Sequence, residues 1–265
     1  MEIKPMKVTV CELPNTWTKT DTYWNRLIRH LDTEQSDLLL LPEMPFFEWI
    51  TRSDAVDPNL WEKAVKVHDE WMSRLSELPV SMVITSRPVI ENNKRLNRGV
   101  VFRKRKGVPA VHDIHDKYYL PDEPGYFEAS WYDRGDGRFE VAEVNGLKIG
   151  FLICTELWFT AMARQYMKQG MDILVCPRAT PKTEADIWVT GGKAAAIVSG
   201  AFCLSSNYNG PNIPGEDFGG TGWIIEPKRG GILGTTTLSR EFLTLDIDLS
   251  AAKESKTTYP RYVKD

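Results

Sequence analysis

At 265 residues, 42% of them hydrophobic and 26% charged, the chain has the composition of a soluble globular protein and the length of one large domain or two small ones, with a substantial core. A formal net charge of −3 gives no electrostatic reason for a nucleic-acid partner, and no apolar run is long enough to span a membrane. The N-terminus, Met1-Glu2-Ile3-Lys4-Pro5, lacks an apolar signal-peptide core, and Cys11, Cys154, Cys176 and Cys203 are scattered without framework spacing; a reduced, cytoplasmic setting is expected.

A first strand is predicted over 7–13, rich in β-branched residues. Asp21 opens a helix whose Trp24, Leu27, Ile28 and Leu31 repeat at i, i+3, i+4, i+7. In Asp37-Leu38-Leu39-Leu40-Leu41-Pro42-Glu43 four consecutive leucines show no alternation, the mark of a strand covered on both faces. Asp57-Pro58 starts a second helix, with Trp61, Ala64, Val65, Trp71, Met72 and Leu75 turned inward. An apolar strand follows over 80–85. Strands over 99–102 and 109–114 flank Arg103-Lys104-Arg105-Lys106-Gly107, a basic tip that reads as solvated because no aromatics interleave its charges. Residues 117–137 are rich in Pro, Gly, Asp and aromatics without periodicity, a long loop of the kind that carries function.

Asn145-Gly146 turns a hairpin between 139–144 and 147–154. A helix over 159–169 stops at Gly170, and a buried strand over 171–176 ends at Pro177. A helix over 187–202, loosened by Gly191, Gly192 and Gly200, and strands over 203–207, 221–226, 232–236 and 242–247 complete the pattern. Strands and helices alternate, yet hairpins are mixed in. The expectation is an α/β layered fold with a mixed sheet, and one domain over 1–265.

Among the cysteines, only Cys154 ends a buried strand directly before a helix, where unpaired backbone N–H groups and the helix dipole lower a thiol's pKa. A cysteine nucleophile needs a base. His30 and His68 lie on helix stretches with polar neighbours and read as surface residues. His112 and His115 differ by three and point to opposite faces of a strand, which also disfavours a metal site. Glu43 ends the leucine strand, and burial there raises a carboxyl toward the range useful for acid–base work. Lys117 opens the long aromatic loop just after an apolar strand. Alone, each has an ordinary reading: a buried thiol, a solvated strand-end carboxylate, a surface lysine.

Together, three segments resemble the blocks of the nitrilase superfamily of carbon–nitrogen hydrolases: Leu40-Leu41-Pro42-Glu43-Met44-Pro45-Phe46, His115-Asp116-Lys117-Tyr118-Tyr119-Leu120-Pro121 and Gly150-Phe151-Leu152-Ile153-Cys154-Thr155-Glu156-Leu157. Their order and separations are similar to the family's, and Gln169 to Val175 and Phe218 to Ile225 resemble its later strands, so the likeness runs from Lys7 to Leu249. The resemblance implies a four-layer αββα sandwich with mixed sheets. It implies Glu43 as base, Cys154 as nucleophile, Lys117 with the Thr155 backbone N–H at the oxyanion, and a second glutamate, Glu128 with Glu123 as the other choice. No metal or organic cofactor is called for. The reaction implied is hydrolysis of a small amide through a thioester, with a nitrile or an N-carbamoyl compound as the alternative substrate and a non-catalytic binding role as the other class.

Two departures bear on substrate. Leu157 and Trp158 stand where carbamoylases of the family often carry arginines, and Thr155 stands where nitrilases often carry tryptophan. Phe46, Phe47, Tyr126 and Trp158 are candidates to line an aromatic pocket, and Arg178 a candidate partner for a substrate carboxylate. The resemblance also implies a homodimer or higher oligomer built on 159–169 and 251–265, the polar tail lying across a partner subunit.

Overall fold

The first half of the chain builds one helix-covered sheet. The computed structural model describes residues 5–105 and 107–264. The half comprises β1 (Met6–Pro14), α1 (Asp21–Glu34), β2 (Leu38–Leu40), α2 (Pro58–Arg74), β3 (Met82–Glu91), β4 (Lys94–Arg105) and β5 (Val108–Asp116). Trp24, Leu27 and Leu31 form the buried stripe of α1. The Asp57 carboxylate accepts from the Asn59 N–H at 2.9 Å and Pro58 fills the first helical position, so α2 starts where its cap dictates. The second half adds α3 (Glu128–Trp131), β6 (Ala142–Val144), β7 (Leu147–Phe151), α4 (Thr160–Lys168), β8 (Ile173–Pro177), α5 (Ala185–Ser199) and β9 (Phe202–Ile213). It ends with β10 (Glu216–Gly219), β11 (Trp223–Ile225), β12 (Ile232–Thr235), β13 (Phe242–Ile247) and α6 (Ser250–Ser255).

Strand order runs β5-β4-β3-β2-β1-β9-β8-β7-β6. Pairing is parallel for β1 with β2, β2 with β3, and β7 through β9; it is antiparallel for β3 through β5, β6 with β7, and β13 on β1. β1 joins the two halves, because its end, Glu12 to Pro14, turns away to pair with Asn207 to Asn209 of β9.

Side-chain alternation sorts the layers. Val8, Val10, Leu38, Leu40 and Ile84 pack with Ile149, Phe151, Ile173 and Val175 of the other half, forming the core between two sheets. Their neighbours Cys11, Leu39, Leu41 and Val83 face Trp24, Leu27, Leu31 and Trp71 of the outer helices. Tyr166 of α4 and Ala195 and Ala196 of α5 cover the second sheet. The result is a four-layer αββα sandwich with mixed sheets. The unbroken run of leucines now has its reason: alternate residues serve two different layers, each side chain contributing about 1.5–3 kcal/mol by burial.

Several expectations need correcting. The strand over 80–85 runs on to Glu91 and turns into β4 through Asn92 and Asn93, both in the left-handed region at φ 50° and 61°. Ser86, Arg87 and Pro88 interrupt the apolar run there, although Val89 is buried again beyond them. The loop over 117–137 contains the one-turn helix α3. His68 is buried, not a surface residue: its Nδ1 bonds the Ala64 carbonyl and its Nε2 accepts from the Phe46 N–H. Within the single chain, Arg261 of the tail is buried and donates to the carbonyls of Ser255, Ile197 and Lys228, so the tail is not too polar to be partly buried. Arg164 of α4 also donates to the carbonyls of Arg261 and Val263; Tyr259 and Tyr262 stay exposed. Of the basic tip, Arg103, Lys104 and Arg105 lie within β4, where Lys104 Nζ donates to the carbonyls of Ser76 and Leu78; Lys106 is outside the described residues.

Candidate active site

β7 ends at Phe151, and Cys154 follows at φ +51°, a conformation a non-glycine residue adopts only when its surroundings enforce it. The chain enters this bend pressed against α4: a Cβ on Gly150 would lie 2.2 Å from Met171 Sδ and 3.0 Å from the Tyr166 ring. A short 3-10 turn, Cys154–Trp158, comes next, and α4 starts only at Thr160. Glu156, fully buried, pins the turn. Its carboxylate accepts from the Ile153 N–H at 2.9 Å, the Tyr118 N–H at 2.8 Å and His115 Nε2 at 2.8 Å. One side chain therefore ties the cysteine turn to the end of β5, where Lys117 stands.

Lys117, Glu43 and Glu128 converge from three elements: just beyond β5, just beyond β2, and the first residue of α3. All three are fully buried. Lys117 Nζ donates to Glu43 Oε1 at 2.8 Å and pairs with Glu128 Oε2 at 2.6 Å, using two of its three donors. Asn97 Nδ2 donates to Glu43 Oε1 at 2.7 Å, and the Tyr132 hydroxyl donates to Glu128 Oε2. Two acceptors are left over, since Glu43 Oε2 and Glu128 Oε1 have no hydrogen-bond partner. The Cys154 thiol donates to the Ala179 carbonyl at 3.7 Å and lies beside the Glu43 carboxylate.

The electrostatics differ from expectation at the sulfur. Burial, together with Glu43 and Glu128, raises the Cys154 thiol well above its usual value, and Lys117 only partly opposes them. The predicted lowering fails because burial disfavours the thiolate, because two carboxylates outweigh one ammonium, and because a 3-10 turn carries little dipole compared with the helix expected there. Burial likewise raises Glu43, with Lys117 and the thiol pulling the other way. Glu128 is pushed up to about 7 by burial, against the pull of Lys117. For Lys117 burial favours loss of the proton, but Glu128 and Glu43 prevail and hold it as the ammonium. Both carboxylates around the one cation are thus raised, and being in mutual contact through Lys117 they titrate as a pair rather than individually.

Cys154 and Glu128 line a cleft of about 180 Å³, the volume of roughly six liquid waters. Thr155, Tyr126 and Glu123 line it too, as does Trp188, which sequence reasoning did not single out. Trp158 is 41% exposed and packs on Trp188 with ring centroids 5.1 Å apart. Phe46 is stacked on Trp71 in the core, and Phe47 lines a separate depression beside Glu48 and Trp49.

Arg178, expected to meet a substrate carboxylate, is fully buried and does not line the cleft. It donates to Ser205 Oγ at 2.9 Å, Thr180 Oγ1, the Gly220 carbonyl at 2.9 Å and the Thr221 carbonyl at 2.6 Å. Four of its five donors are spent bracing two loops. Asn97, Tyr132, Glu156 and His115 were missed as members of the cluster. Among the described residues no group of three or more His, Cys, Asp or Glu side chains is arranged to hold a metal ion.

The family model for carbon-nitrogen hydrolases matches residues 7–257. The chain belongs to that family. It is a carbon–nitrogen hydrolase, acting on bonds other than peptide bonds. The 2-oxoglutaramate amidase of Bacillus subtilis (strain 168) is 25% identical over 231 residues, 86% of this chain and 85% of that protein. An N-carbamoylputrescine amidase of Arabidopsis thaliana is 30% identical over 162 residues, 55% of this chain and 54% of its own length, so that match spans about half of the relative. A carbon-nitrogen hydrolase from Helicobacter pylori G27 has the same fold, with a TM-score of 0.84 at 21% identity over 97% of this chain and 94% of that one.

Proposed function

We propose that this carbon–nitrogen hydrolase is an amidase working through Cys154, Glu43, Lys117 and Glu128. The observation that carries the reading is the pair of buried, unpartnered carboxylate oxygens, Glu43 Oε2 and Glu128 Oε1, around a thiol and an ammonium. Glu43 takes the thiol proton as sulfur bonds to the amide carbon, so no free thiolate is needed beforehand, in keeping with the raised thiol. The carbonyl oxygen becomes an oxyanion that the third Lys117 donor and the Thr155 N–H receive. Glu128 Oε1 accepts from the substrate amide nitrogen and orients it. The C–N bond breaks, Glu43 returns its proton to the departing ammonia or amine, and the acyl group stays on sulfur as a thioester. Glu43 then takes a proton from water, which attacks the thioester, and the proton passes to sulfur as the acid leaves.

Tyr126 and Trp188 provide apolar walls, and the small cleft favours a small substrate. The names of the relatives support amide hydrolysis; the N-carbamoylputrescine amidase favours a ureido group as the second substrate type. No helix of the described residues is long and apolar enough to cross a membrane. Four unpaired cysteines suit a cytoplasmic location. Exposed Tyr259, Tyr262, Trp158 and Phe159 suit pairing between copies, which light scattering tests.

The test is a panel of small amides, ureas and nitriles, assayed with wild type and Cys154→Ala. Ammonia release from amides by wild type alone is expected. Undiminished release by a folded Cys154→Ala would overturn the assignment, and silence of wild type across the panel would favour a binding role.

A further inference from the structure

The charges around the cleft are all of one sign away from the catalytic cluster. Besides Glu128, the cleft is lined by Glu123, Glu184 and Glu216, and by no lysine or arginine among the described residues. The nearby cations are committed elsewhere or lie outside. Lys117 is held between Glu43 and Glu128, and Arg178 spends four donors within the protein. Lys182 borders an adjoining depression that it shares with Glu216 and Asp217.

Glu216 stands out among the three. It begins β10, and its Oε2 is buried with no hydrogen-bond partner. That oxygen and the Asn212 amide both lie 3.4 Å from the point a Cβ on Gly125 would occupy. Asn212 is almost wholly buried, donates weakly to the Tyr126 hydroxyl at 3.4 Å, and leaves its own Oδ1 unpaired. Tyr126 lines the same cleft as Cys154, Glu184 and Glu216, and burial first, then the charges of those three groups, raise its phenol. A buried carboxylate oxygen without a donor is costly unless something supplies one. Here Glu216, which lines the cavity holding the nucleophile, has an acceptor that lacks a donor, and Asn212, bonded to Tyr126 of the same lining, has a second.

We infer that the substrate is an amide whose chain carries a cation, an ammonium or guanidinium, received by Glu216 with Asn212, Tyr126 and Glu184 while the amide carbon sits at Cys154. The inference rests on the amidase reading above and names its substrate class. A cation supplies the missing donors and offsets the acidic mouth. An anion would face three carboxylates with no free positive partner.

The experiment compares three amides of matched reach that end in an ammonium, a methyl and a carboxylate: 5-aminopentanamide, hexanamide and glutaramate. The expected order of kcat/KM is cation above neutral above anion, with the cation favoured over the neutral amide by about 10-fold or more through a charge-assisted hydrogen bond. The advantage should appear in KM and shrink as ionic strength rises. Glu216→Gln, checked for folding by circular dichroism, should cut the cation-to-neutral ratio by on the order of 10-fold, mainly by raising KM for the cation. Equal use of cationic and neutral amides, or preference for glutaramate, overturns this inference and leaves the amidase reading intact. No turnover of any of the three overturns the amidase reading itself.

Discussion

Replacing Lys117 by methionine tests the coupling of the buried cluster. The ammonium contacts two fully buried carboxylates at 2.8 and 2.6 Å, and the substitution leaves both without it. Removing one partner of a buried pair costs about 3–5 kcal/mol. At pH 8 the variant should lose about that amount, because two negative charges then face one another without a counter-charge. Protonation relieves the conflict. The folded values of both carboxyls already lie above the ordinary carboxylate range, and in the variant they rise further. A raised folded value means the folded chain binds more protons than the unfolded one. The resulting stabilisation is complete below the unfolded value of about 4.3 and is lost as pH rises through the folded value. The deficit relative to wild type should therefore be largest at pH 8 and shrink toward pH 5, by up to about 1.4 kcal/mol per pH unit for each proton taken up. Urea unfolding of both proteins at pH 5, 6.5 and 8 measures it. A deficit under about 1 kcal/mol that does not change with pH would refute the reasoning.

Other expectations follow from the same geometry. The acid limb of kcat/KM for a neutral amide should lie near neutrality, because Glu128 is raised to about 7 and titrates together with Glu43; a limb near 4.5 would show that the pair titrates as ordinary carboxylates. Tyr132→Phe removes a hydrogen bond that holds the Glu128 value down, so kcat should fall about 10-fold and the acid limb move to higher pH, in a pH-rate profile. Limiting iodoacetamide should label Cys154 before Cys11, Cys176 and Cys203, since Cys154 lines the cleft while the other three are fully buried, and labelling should accelerate with pH because the thiol is raised. Peptide mapping that finds another cysteine modified first would count against an accessible nucleophile.

Much of the fold was legible because burial writes itself into residue type. The leucine run, the Asp57-Pro58 helix start and the Asn145-Gly146 turn all stand where their local chemistry predicts. The cluster itself was legible only through order and spacing of the three blocks, because Glu43, Lys117 and Glu128 come from separate elements that no local pattern connects. Tyr132 had a local signal, four residues after Glu128, but inside a segment with no periodicity. Asn97 and His115 had none: Asn97 is one polar residue among several in β4, which is buried on both faces there, and His115 is next to last in β5, whose other residues are mostly half-buried or exposed. The β4–β5 bulge at Gly99/Val100 further shifts which residues point inward, so counting by twos from His112 does not show where His115 packs. Arg178 misled for a related reason. Its position after a strand end is shared by residues that face a ligand and residues that brace a loop, and only its four donor contacts distinguish them.

The most direct test of the account is to look for the acyl group on sulfur. Wild type mixed with a slowly turned-over amide, quenched in acid and mapped by mass spectrometry, should carry the acyl portion on the peptide containing Cys154, and Cys154→Ala should carry none. Steady turnover with an acyl group on a different residue, or the same adduct in Cys154→Ala, would contradict it.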